Sequence, residues 1–267
     1  MKKQLTSFER FEYKYWVTDA QAKQLLELTA PYLVCDDWAQ GGQRNTSLYL
    51  DSDDADFMEL HVQSAPDRSK LRIRAYGNPP SGPAFLEVKR KIKRVTFKDR
   101  AVVPMEMVPA LLSGEIPPDL KLKTAAEQRT LDHFLYLMMT FRATPQVLIT
   151  CSREAYTSIE PADGVRLTFD RDVCYQPARG PSLIGDPKAW IHLCGQMNYE
   201  AQASTLIELK FRGIAPLWTS ELVQRLRLSI SASSKYVMAM QSYQLGSDGL
   251  IGPDLAQWPP ARATRGA

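Results

Sequence analysis

Cysteine and histidine are scarce in this chain of 267 residues, which has four cysteines and three histidines. The cysteines lie far apart, at Cys35, Cys151, Cys174 and Cys194, and the histidines are scattered, at His61, His133 and His192. Neither distribution has the close-paired spacing of a zinc site or a disulfide framework. We therefore expect reduced thiols in an intracellular protein.

Long apolar runs are absent as well. The lysines at the amino terminus are not followed by an apolar segment, so a secretory signal peptide is not predicted. The longest apolar run, around residues 134–141, is too short to span a bilayer. We expect a cytoplasmic protein without a transmembrane segment. Its oligomeric state and any membrane-protein partner are left open by the sequence.

A large excess of one charge is also missing, because the formal net charge is only +3. A chain this close to neutral is not built to coat nucleic acid non-specifically. Its length suits one large domain, which we place at residues 1–245. Residues 246–267 are rich in Gly, Pro, Ala and Asp, so we expect a flexible C-terminal tail there.

The dominant pattern lies in residues 70–100, which we interpret as two strands joined by a Pro/Gly turn. Arg72 and Arg74 share one side of the first strand, and Glu87 and Lys89 share one side of the second. Apolar residues point the other way, at Leu71, Ile73, Ala75, Leu86 and Val88. An isolated hairpin would send such charges into bulk water.

The same alternation returns in three other segments: Arg10-Phe-Glu12-Tyr-Lys14, Val165-Arg166-Leu-Thr168-Phe-Asp170 and Ile207-Glu208-Leu-Lys210-Phe-Arg212. Such strands form either a flat sheet with a solvated charged face or a barrel with a charged interior. Amphipathic helices favour the barrel, because they need the apolar strand faces to pack on. We predict an α+β fold in which a closed antiparallel β-barrel of about eight strands forms a charged tunnel, with helices packed on its outside.

Helix signals punctuate the strands. Thr18 and Gln21 match a capping box at the start of a helix that reaches residue 30. Further helices are predicted over 53–62, 105–112, 124–141 and 235–244, and one begins at Pro216. Additional strands are predicted over 45–51, 147–156, 165–173 and 189–193, the middle pair joined at Asp163-Gly164.

A tunnel lined by this pattern would be strongly cationic, through Arg72, Arg74, Lys89, Lys98, Arg100, Arg153, Arg166 and Lys210. Confined like charges repel one another, so the site needs a polyanion. Arg forks and Lys point charges suit a linear phosphate chain. Glu12, Glu87 and Glu208 either pair with these cations or hold Mg²⁺ or Mn²⁺ against the phosphates, and Glu208 is the favoured metal ligand.

Seven motifs, in this order, resemble the VTC domain, the catalytic domain of the vacuolar transporter chaperone polyphosphate polymerase. That domain belongs to the triphosphate tunnel metalloenzyme (CYTH-like) superfamily. The resemblance covers about residues 8–245. The motifs are Phe11-Glu-Tyr-Lys-Tyr-Trp16, Leu71-Arg-Ile-Arg-Ala-Tyr-Gly77, Phe85-Leu-Glu-Val-Lys89, Arg153-Glu-Ala-Tyr156, Val165-Arg-Leu-Thr-Phe-Asp170, Leu206-Ile-Glu-Leu-Lys210 and Ser233-Ser-Lys-Tyr236.

The resemblance implies transfer of the γ-phosphate of ATP to the end of a polyphosphate chain, with release of ADP. It implies that the nucleotide phosphates and the product chain are gripped by Lys14, Arg72, Arg74, Lys89, Arg153, Arg166 and Lys235. Ser234 would assist, Lys98 and Arg100 would line the tunnel, and Glu208 would hold the metal. The strand pattern adds Lys210 as a phosphate ligand and Glu12 and Glu87 as further metal candidates.

The chain departs from the family pattern at two positions and in its domain content. Arg10 stands where the superfamily's Glu-x-Glu-x-Lys motif begins, so one potential metal carboxylate is missing. Cys151 replaces an aromatic residue of some relatives. The fungal relatives also carry an SPX domain and membrane helices, which this sequence lacks, so we do not expect coupled translocation of the product.

Three alternatives remain at this point. A metal-dependent triphosphatase would use the same fold with water as the acceptor, and a sensor would bind polyphosphate or nucleotides without turnover. A nucleic-acid-binding sheet would need aromatic residues on the cationic face. Phe11, Tyr13, Phe169 and Phe211 alternate with the charged positions instead. We therefore expect ATP and polyphosphate or triphosphate as partners, and no nucleic acid.

Overall fold

Alternating strands dominate the computed structural model, which describes residues 10–93, 95–193, 195–197, 201–231 and 234–247. The strands are β1 (Arg10–Val17), β2 (Leu33–Cys35), β3 (Gln43–Asp51), β4 (Asp67–Tyr76), β5 (Ser81–Ile92), β6 (Val95–Val103), β7 (Thr144–Ser158), β8 (Arg166–Pro177), β9 (Ile191–His192), β10 (Gly195–Met197), β11 (Ala201–Ala203) and β12 (Thr205–Arg212). The helices are α1 (Asp19–Thr29), α2 (Asp56–Val62), α3 (Val108–Leu112), α4 (Ala125–Thr140), α5 (Leu217–Arg225) and α6 (Lys235–Ser247).

One antiparallel sheet contains ten of these strands, in the order β1-β12-β8-β7-β3-β4-β5-β6, with β2 added to β7 and β9 added to β8. The remaining strands, β10 and β11, pair with each other. The predicted pairing of the strands on either side of Asp163-Gly164 is confirmed, since β7 and β8 form an antiparallel pair. The α+β class and the antiparallel sheet are therefore as predicted.

The predicted closure of this sheet into a barrel is not confirmed. Within the described residues, β1 pairs only with β12 and, through Tyr15, with Ile230, whereas β6 pairs only with β5. The outer edge of β1 is taken by residues after α5, because Ser231 donates its N–H to the carbonyl of Lys14 at 2.7 Å. The sheet nevertheless curls strongly, since Glu12 on β1 lies 4.0 Å from Lys89 on β5.

The segment 70–100 contains three strands where we predicted two. The chain reverses a second time at Lys93, which adopts φ 53° and donates its N–H to the carbonyl of Pro66. β5 and β6 then pair, with Lys89 opposite Lys98 and Glu87 opposite Arg100. Both predicted tunnel residues of β6 consequently face the same side as Glu87.

Helix α1 begins with the predicted capping box. The Thr18 hydroxyl accepts from the N–H of Gln21 at 3.2 Å, and the Gln21 side chain accepts from the N–H of Thr18 at 3.0 Å. Thr124 and Glu127 form the same arrangement at the start of α4. Because two orphan donors are satisfied at each start, these two helix positions follow directly from the sequence.

Helix α2 begins at Asp56, three residues later than predicted. Ala55 adopts a left-handed conformation with φ 57° and breaks the preceding turn. The buried carboxylate of Asp51, at the end of β3, then accepts the N–H groups of Phe57 and Met58. This side chain caps the helix from outside its own segment, which a local pattern does not reveal.

Two helical layers cover the outer faces of the sheet as predicted. Leu131 and Phe134 of α4 are buried against Leu71 and Leu86. On the other side, α1 and α5 pack on β1, β8 and β12, in a cluster of buried residues that includes Leu25, Leu222, Ile207, Leu209 and Phe211. Phe169 joins the same cluster, which confirms that these aromatic residues face away from the charges.

Helix α6 departs from the prediction, because it packs on the inner face of the curled sheet. Tyr236 and Met240 are buried against Trp16, Tyr49 and Leu206. Because side chains alternate along a strand, these three residues point to the same side of the sheet as the charged positions. The inner face thus has an apolar part, which α6 covers, and a charged part, which remains beside the start of the helix.

Some predictions fall partly outside the described residues. Helix α6 is described to Ser247, and the rest of the predicted tail lies beyond the part of the chain that the structure describes. Cys35 and Cys151 are free thiols, Cys174 Sγ lies 3.4 Å from His192 Nδ1, and Cys194 lies outside the described residues. Within the described residues, every helix is too short or too polar to cross a bilayer.

Candidate functional site

Glu87 is the centre of the wall formed by β4, β5 and β6. Its side chain is 1% exposed, and it accepts hydrogen bonds from Arg72 Nε at 2.6 Å and Arg100 Nε at 2.8 Å. Lys98 Nζ lies 2.8 Å from the same carboxylate. Burial alone would raise the pKa of Glu87, but the charges of Arg72, Arg74 and Lys98 hold it far below its ordinary value. Glu87 is therefore ionised and fully engaged.

Arg74 differs from the cations around Glu87, because they contact that carboxylate directly and Arg74 does not. It is 8% exposed, and its Nε donates to the Ser47 hydroxyl at 3.1 Å. Among the residues that the structure describes, no carboxylate lies within ion-pair distance of its guanidinium. Burial and the neighbouring charge of Arg72 lower its pKa, although the charge of Glu87 acts in the opposite direction. A buried guanidinium without a directly paired carboxylate indicates an anionic ligand.

Asp170 is the matching buried carboxylate on the opposite wall. It accepts from Arg153 Nε at 2.5 Å and Nη2 at 2.6 Å, and also from Lys235 at the start of α6. Burial would raise the pKa of Asp170, but Arg153 and Lys235 keep it well below its ordinary value. Arg153 Nη2 also lies 3.7 Å from Glu208. The two cations are thereby held in place by β8 and β12.

Glu208 and Glu12 lie side by side on β12 and β1, bridged by Lys210. Lys210 Nζ is 2.7 Å from Glu208 and 3.9 Å from Glu12. Lys14 lies 3.0 Å from Glu12. Burial would raise the pKa of Glu208, but Lys235, Lys210 and Arg153 lower it far below its ordinary value. The pair of carboxylates is therefore ionised, although both are close to cations.

The two walls meet where Lys89 reaches Glu12 across the curl. Burial and other charges lower the pKa of Lys89, and burial lowers the pKa of Lys98 to about 8 despite the nearby Glu87. Both lysines remain partly accessible, with 44% and 45% of their side chains exposed. Solvent therefore reaches the cluster from the β5–β6 side.

Arg166 is the predicted residue that the structure sets apart. Its Nη2 donates to Asp36 at 2.6 Å, and its guanidinium lies 5.8 Å from the centre of the Trp38 ring. Both partners belong to the segment that follows β2. Ser234 is the N-terminal cap of α6, because its hydroxyl accepts the N–H of Val237 at 3.3 Å.

Three residues of the site were not predicted from the sequence: Lys70, Asp170 and Tyr49. Lys70 and Asp170 share the alternation of Arg72 and Arg166, so the strand pattern contained a signal for both. The hydroxyl of Tyr49 accepts from Arg72 Nη1 at 3.0 Å, and nothing in the local sequence indicated that contact.

The side chains that surround Glu12, Glu87, Asp170 and Glu208 form what we call the cationic cluster. Ten cations outnumber these four carboxylates: Lys14, Lys70, Arg72, Arg74, Lys89, Lys98, Arg100, Arg153, Lys210 and Lys235. Such a cluster is suited to bind a chain of negative charges and to stabilise negative charge that develops during a reaction.

A divalent metal would have a limited choice of protein ligands here. Among the described residues, no group of three or more His, Cys, Asp or Glu side chains is arranged to hold a metal ion. Glu12, Glu87 and Glu208 each lie within ion-pair distance of three cations, but only Glu12 and Glu208 form a neighbouring pair, through their shared contact with Lys210. One or two carboxylates completed by substrate phosphates are the usual ligands of Mg²⁺. The neighbouring pair Glu12 and Glu208 therefore fits best, whereas Glu87 stands apart from the pair, and its role as a metal ligand stays a prediction.

Comparison with protein families gives one match, to the model of the VTC domain, over residues 9–244. The chain belongs to the VTC domain family. No curated protein sequence matches it. The predicted family resemblance is thus confirmed.

Two solved structures are similar to this VTC domain at low sequence identity. One is the PH1819 protein of Pyrococcus horikoshii OT3, with a TM-score of 0.43, 12% identity, and coverage of 87% of this chain and 99% of that one. The other is a candidate adenylate cyclase of Vibrio parahaemolyticus, with a TM-score of 0.41, 11% identity, and coverage of 86% and 97%. At these TM-scores we draw no conclusion from either similarity.

Proposed function

We propose that this VTC domain is a polyphosphate polymerase, which transfers the γ-phosphate of ATP to the end of a polyphosphate chain and releases ADP. The observation that carries the proposal is the buried guanidinium of Arg74, which has no directly paired carboxylate among the described residues and lies within a cluster of cations from both walls. A phosphate chain would neutralise that charge at several points, which a single carboxylate ligand could not do.

The reaction needs no protein nucleophile. A terminal oxygen of the polyphosphate chain attacks the γ-phosphorus, and the bond to the β–γ bridging oxygen breaks with its electron pair leaving on ADP. Arg72, Arg74 and Lys89 bind from one wall, and Arg153 and Lys235 bind from the other. Because Glu87 fixes Arg72 and Asp170 fixes Arg153 and Lys235 beforehand, little reorganisation of these three cations is required when charge moves in the transition state.

The remaining predicted residues take supporting roles in this proposal. Lys14 and Lys210 lie beside Glu12 and Glu208 and bind the distal part of the phosphate chain. Lys98 and Arg100 contact it from the exposed β5–β6 side, Ser234 orients the start of α6, and Arg166 attracts anions at the end of the curl. Glu12 and Glu208 would hold Mn²⁺ or Mg²⁺, which supplies additional neutralisation of phosphate charge when bound.

A metal-dependent triphosphatase is the second candidate. It is favoured by the accessibility of Lys89 and Lys98, because water that reaches these side chains can also reach a bound phosphate. Water would then replace the chain end as the attacking group, and inorganic phosphate would leave in place of a longer chain.

Product sizing distinguishes these functions. Purified protein is incubated with ATP and Mn²⁺, and the products are separated by gel electrophoresis beside an Arg74→Ala control. Polyphosphate that lengthens with time supports the polymerase, whereas inorganic phosphate alone supports the triphosphatase. A protein that binds triphosphate without any turnover, and whose affinity is unchanged by Glu208→Gln with metal present, is a sensor and contradicts both enzymes.

A further inference from the structure

Lys70 stands one alternation before Arg72 on β4, on the same face of the sheet. Its Nζ donates to the hydroxyl of Ser234 at 2.8 Å and lies 5.6 Å from the centre of the Tyr236 ring. Ser234 is the cap of α6 and Tyr236 lies in its first turn. Lys70 thus connects the cationic wall of β4 to the start of the helix that covers the inner face.

Lys70 differs from the other lysines of the cationic cluster in its lack of a counter-charge. Each of the others contacts a carboxylate: Lys14, Lys89 and Lys210 contact Glu12, Lys98 contacts Glu87, and Lys235 contacts Asp170. Among the described residues, no carboxylate lies within ion-pair distance of Lys70. In this respect Lys70 resembles Arg74, two alternations further along the same strand.

The charges that act most strongly on Lys70 are positive. Burial acts first, and Lys89 from β5, Lys14 from β1, and Arg72 and Arg68 from β4 act with it to lower the pKa of Lys70 well below its ordinary value. A purely structural anchor for Ser234 would not need a positive charge there, because a neutral donor makes the same hydrogen bond without repulsion.

We propose that Lys70 is a further phosphate-binding residue, and that a bound phosphate chain neutralises both Lys70 and Arg74, two inward-facing cations of β4 that lack a directly paired carboxylate among the described residues. Residues two apart on a strand are separated by about 6.8 Å, so Lys70 extends the row of Arg72 and Arg74 towards α6. This inference rests on the proposed function, because it assigns a residue to the same phosphate chain.

The test uses variants of Lys70 in the full chain. Lys70→Gln keeps a donor for Ser234 and removes only the charge, Lys70→Arg keeps the charge, and Lys70→Ala removes both. Lys23→Ala is the control, because it removes one positive charge from the exposed surface of α1. Binding of inorganic triphosphate is measured by titration calorimetry, and folding of each variant is checked by its thermal melt without ligand.

We expect Lys70→Gln and Lys70→Ala to weaken triphosphate binding by roughly 10- to 100-fold, the range for one charge-assisted hydrogen bond. Lys70→Arg should remain within about threefold of the parent, since a charged donor is kept. Lys23→Ala should bind as the parent does. In ATP turnover the loss should appear mainly in KM. Parent-like affinity in Lys70→Gln overturns the proposal, because the charge is then not used.

The assignment of Lys70 and the proposed function can fail independently, and the experiment distinguishes the two failures. If the parent binds triphosphate and makes polyphosphate while Lys70→Gln is normal, only the assignment of Lys70 fails. If Lys70→Gln loses affinity but the parent shows no phosphoryl transfer, Lys70 is confirmed as a phosphate ligand and the polymerase is contradicted. A parent protein that binds no triphosphate overturns both.

Discussion

At the scale of single residues, the cationic cluster contains two kinds of positive side chain. Arg72, Arg153 and Lys235 are held by buried carboxylates, which fix their positions before any ligand binds. Arg74 and Lys70 donate to hydroxyl groups and, among the described residues, have no carboxylate within ion-pair distance. The first kind stabilises the folded chain, whereas the second kind stabilises it only when an anion is present.

Arg74→Ala and Arg72→Ala should therefore differ in the protein without ligand. Arg74→Ala removes a repelled charge, so its free energy of unfolding should equal or exceed that of the parent. Arg72→Ala leaves the buried Glu87 short of a donor and should lower stability by about 1–3 kcal/mol. Urea denaturation measures both, and equal destabilisation by the two variants would contradict the distinction. Both should bind triphosphate at least about tenfold more weakly.

Glu87→Gln should strongly destabilise the folded chain. It leaves Arg72, Lys98 and Arg100 without their shared counter-charge, and the expected loss is about 3 kcal/mol. Because the folded pKa of Glu87 lies below its unfolded value, its contribution is present above about pH 4.3 and disappears as the pH falls through the folded pKa.

The measurement is urea denaturation of Glu87→Gln and of the parent between pH 2 and pH 7. The parent should lose more stability than the variant on the acid side. Glu221→Gln, an exposed carboxylate on α5, serves as the control and should behave as the parent does. A variant that is as stable as the parent at pH 7 would show that Glu87 does not balance the three cations.

Most of these residues were predictable from strand alternation. The pattern put Arg72, Arg74, Glu87 and Lys89 on one face, and the structure agrees. Alternation gives the face of a strand but not the partner across the curl. The contact between Arg166 and Asp36 joins residues 130 positions apart, so local sequence could not have indicated it.

At the scale of elements, α6 is the part of the fold that local sequence described least well. Its existence and start were predicted, but an outer position was expected. Strand residues such as Trp16 and Leu206 interrupt the inner row of charges, and only the assembled sheet shows that they form one apolar surface. The hydroxyl of Tyr236 donates to the carboxylate of Asp51, which fixes the helix to β3 and α2.

Tyr236→Phe should therefore loosen α6 while the apolar packing is kept. Loss of a hydrogen bond to a buried carboxylate is expected to lower the free energy of unfolding by about 2 kcal/mol. Tyr136→Phe, which removes a hydroxyl from the exposed face of α4, is the control and should change stability little. Identical urea midpoints for the two variants would show that the bond to Asp51 does not hold α6 in place.

At the scale of the whole molecule, the fold brings repelling charges together and relies on surrounding hydrophobic packing to keep them there. Two outer clusters and the inner cluster under α6 supply that packing. The sequence predicted the outer layers, because each helix carried an apolar stripe. It did not predict that β1 and β6 remain unpaired with each other, since that depends on the segment around Ile230 occupying the edge of β1.

Triphosphate should consequently stabilise the whole chain by relieving this repulsion. At a ligand concentration 100-fold above Kd, mass action gives about 2.7 kcal/mol. For a protein of this size, that corresponds to a rise in Tm of about 5 to 11 °C. Differential scanning fluorimetry with triphosphate measures it, with sulfate at matched ionic strength as the control. No shift with triphosphate beyond that with sulfate would contradict a phosphate-chain site.

The unpaired margin between β1 and β6 has a consequence for how a long polymer enters. Near this margin, Glu12 of β1 lies 4.0 Å from Lys89 of β5, the neighbour of β6. Partly exposed ion pairs of this kind contribute only about 0–1 kcal/mol. Opening this contact breaks no backbone hydrogen bond between β1 and β6, because the described residues have none between these strands. Under the proposed function, a polyphosphate molecule many times longer than the groove would then need no free end to be threaded, because it could enter sideways.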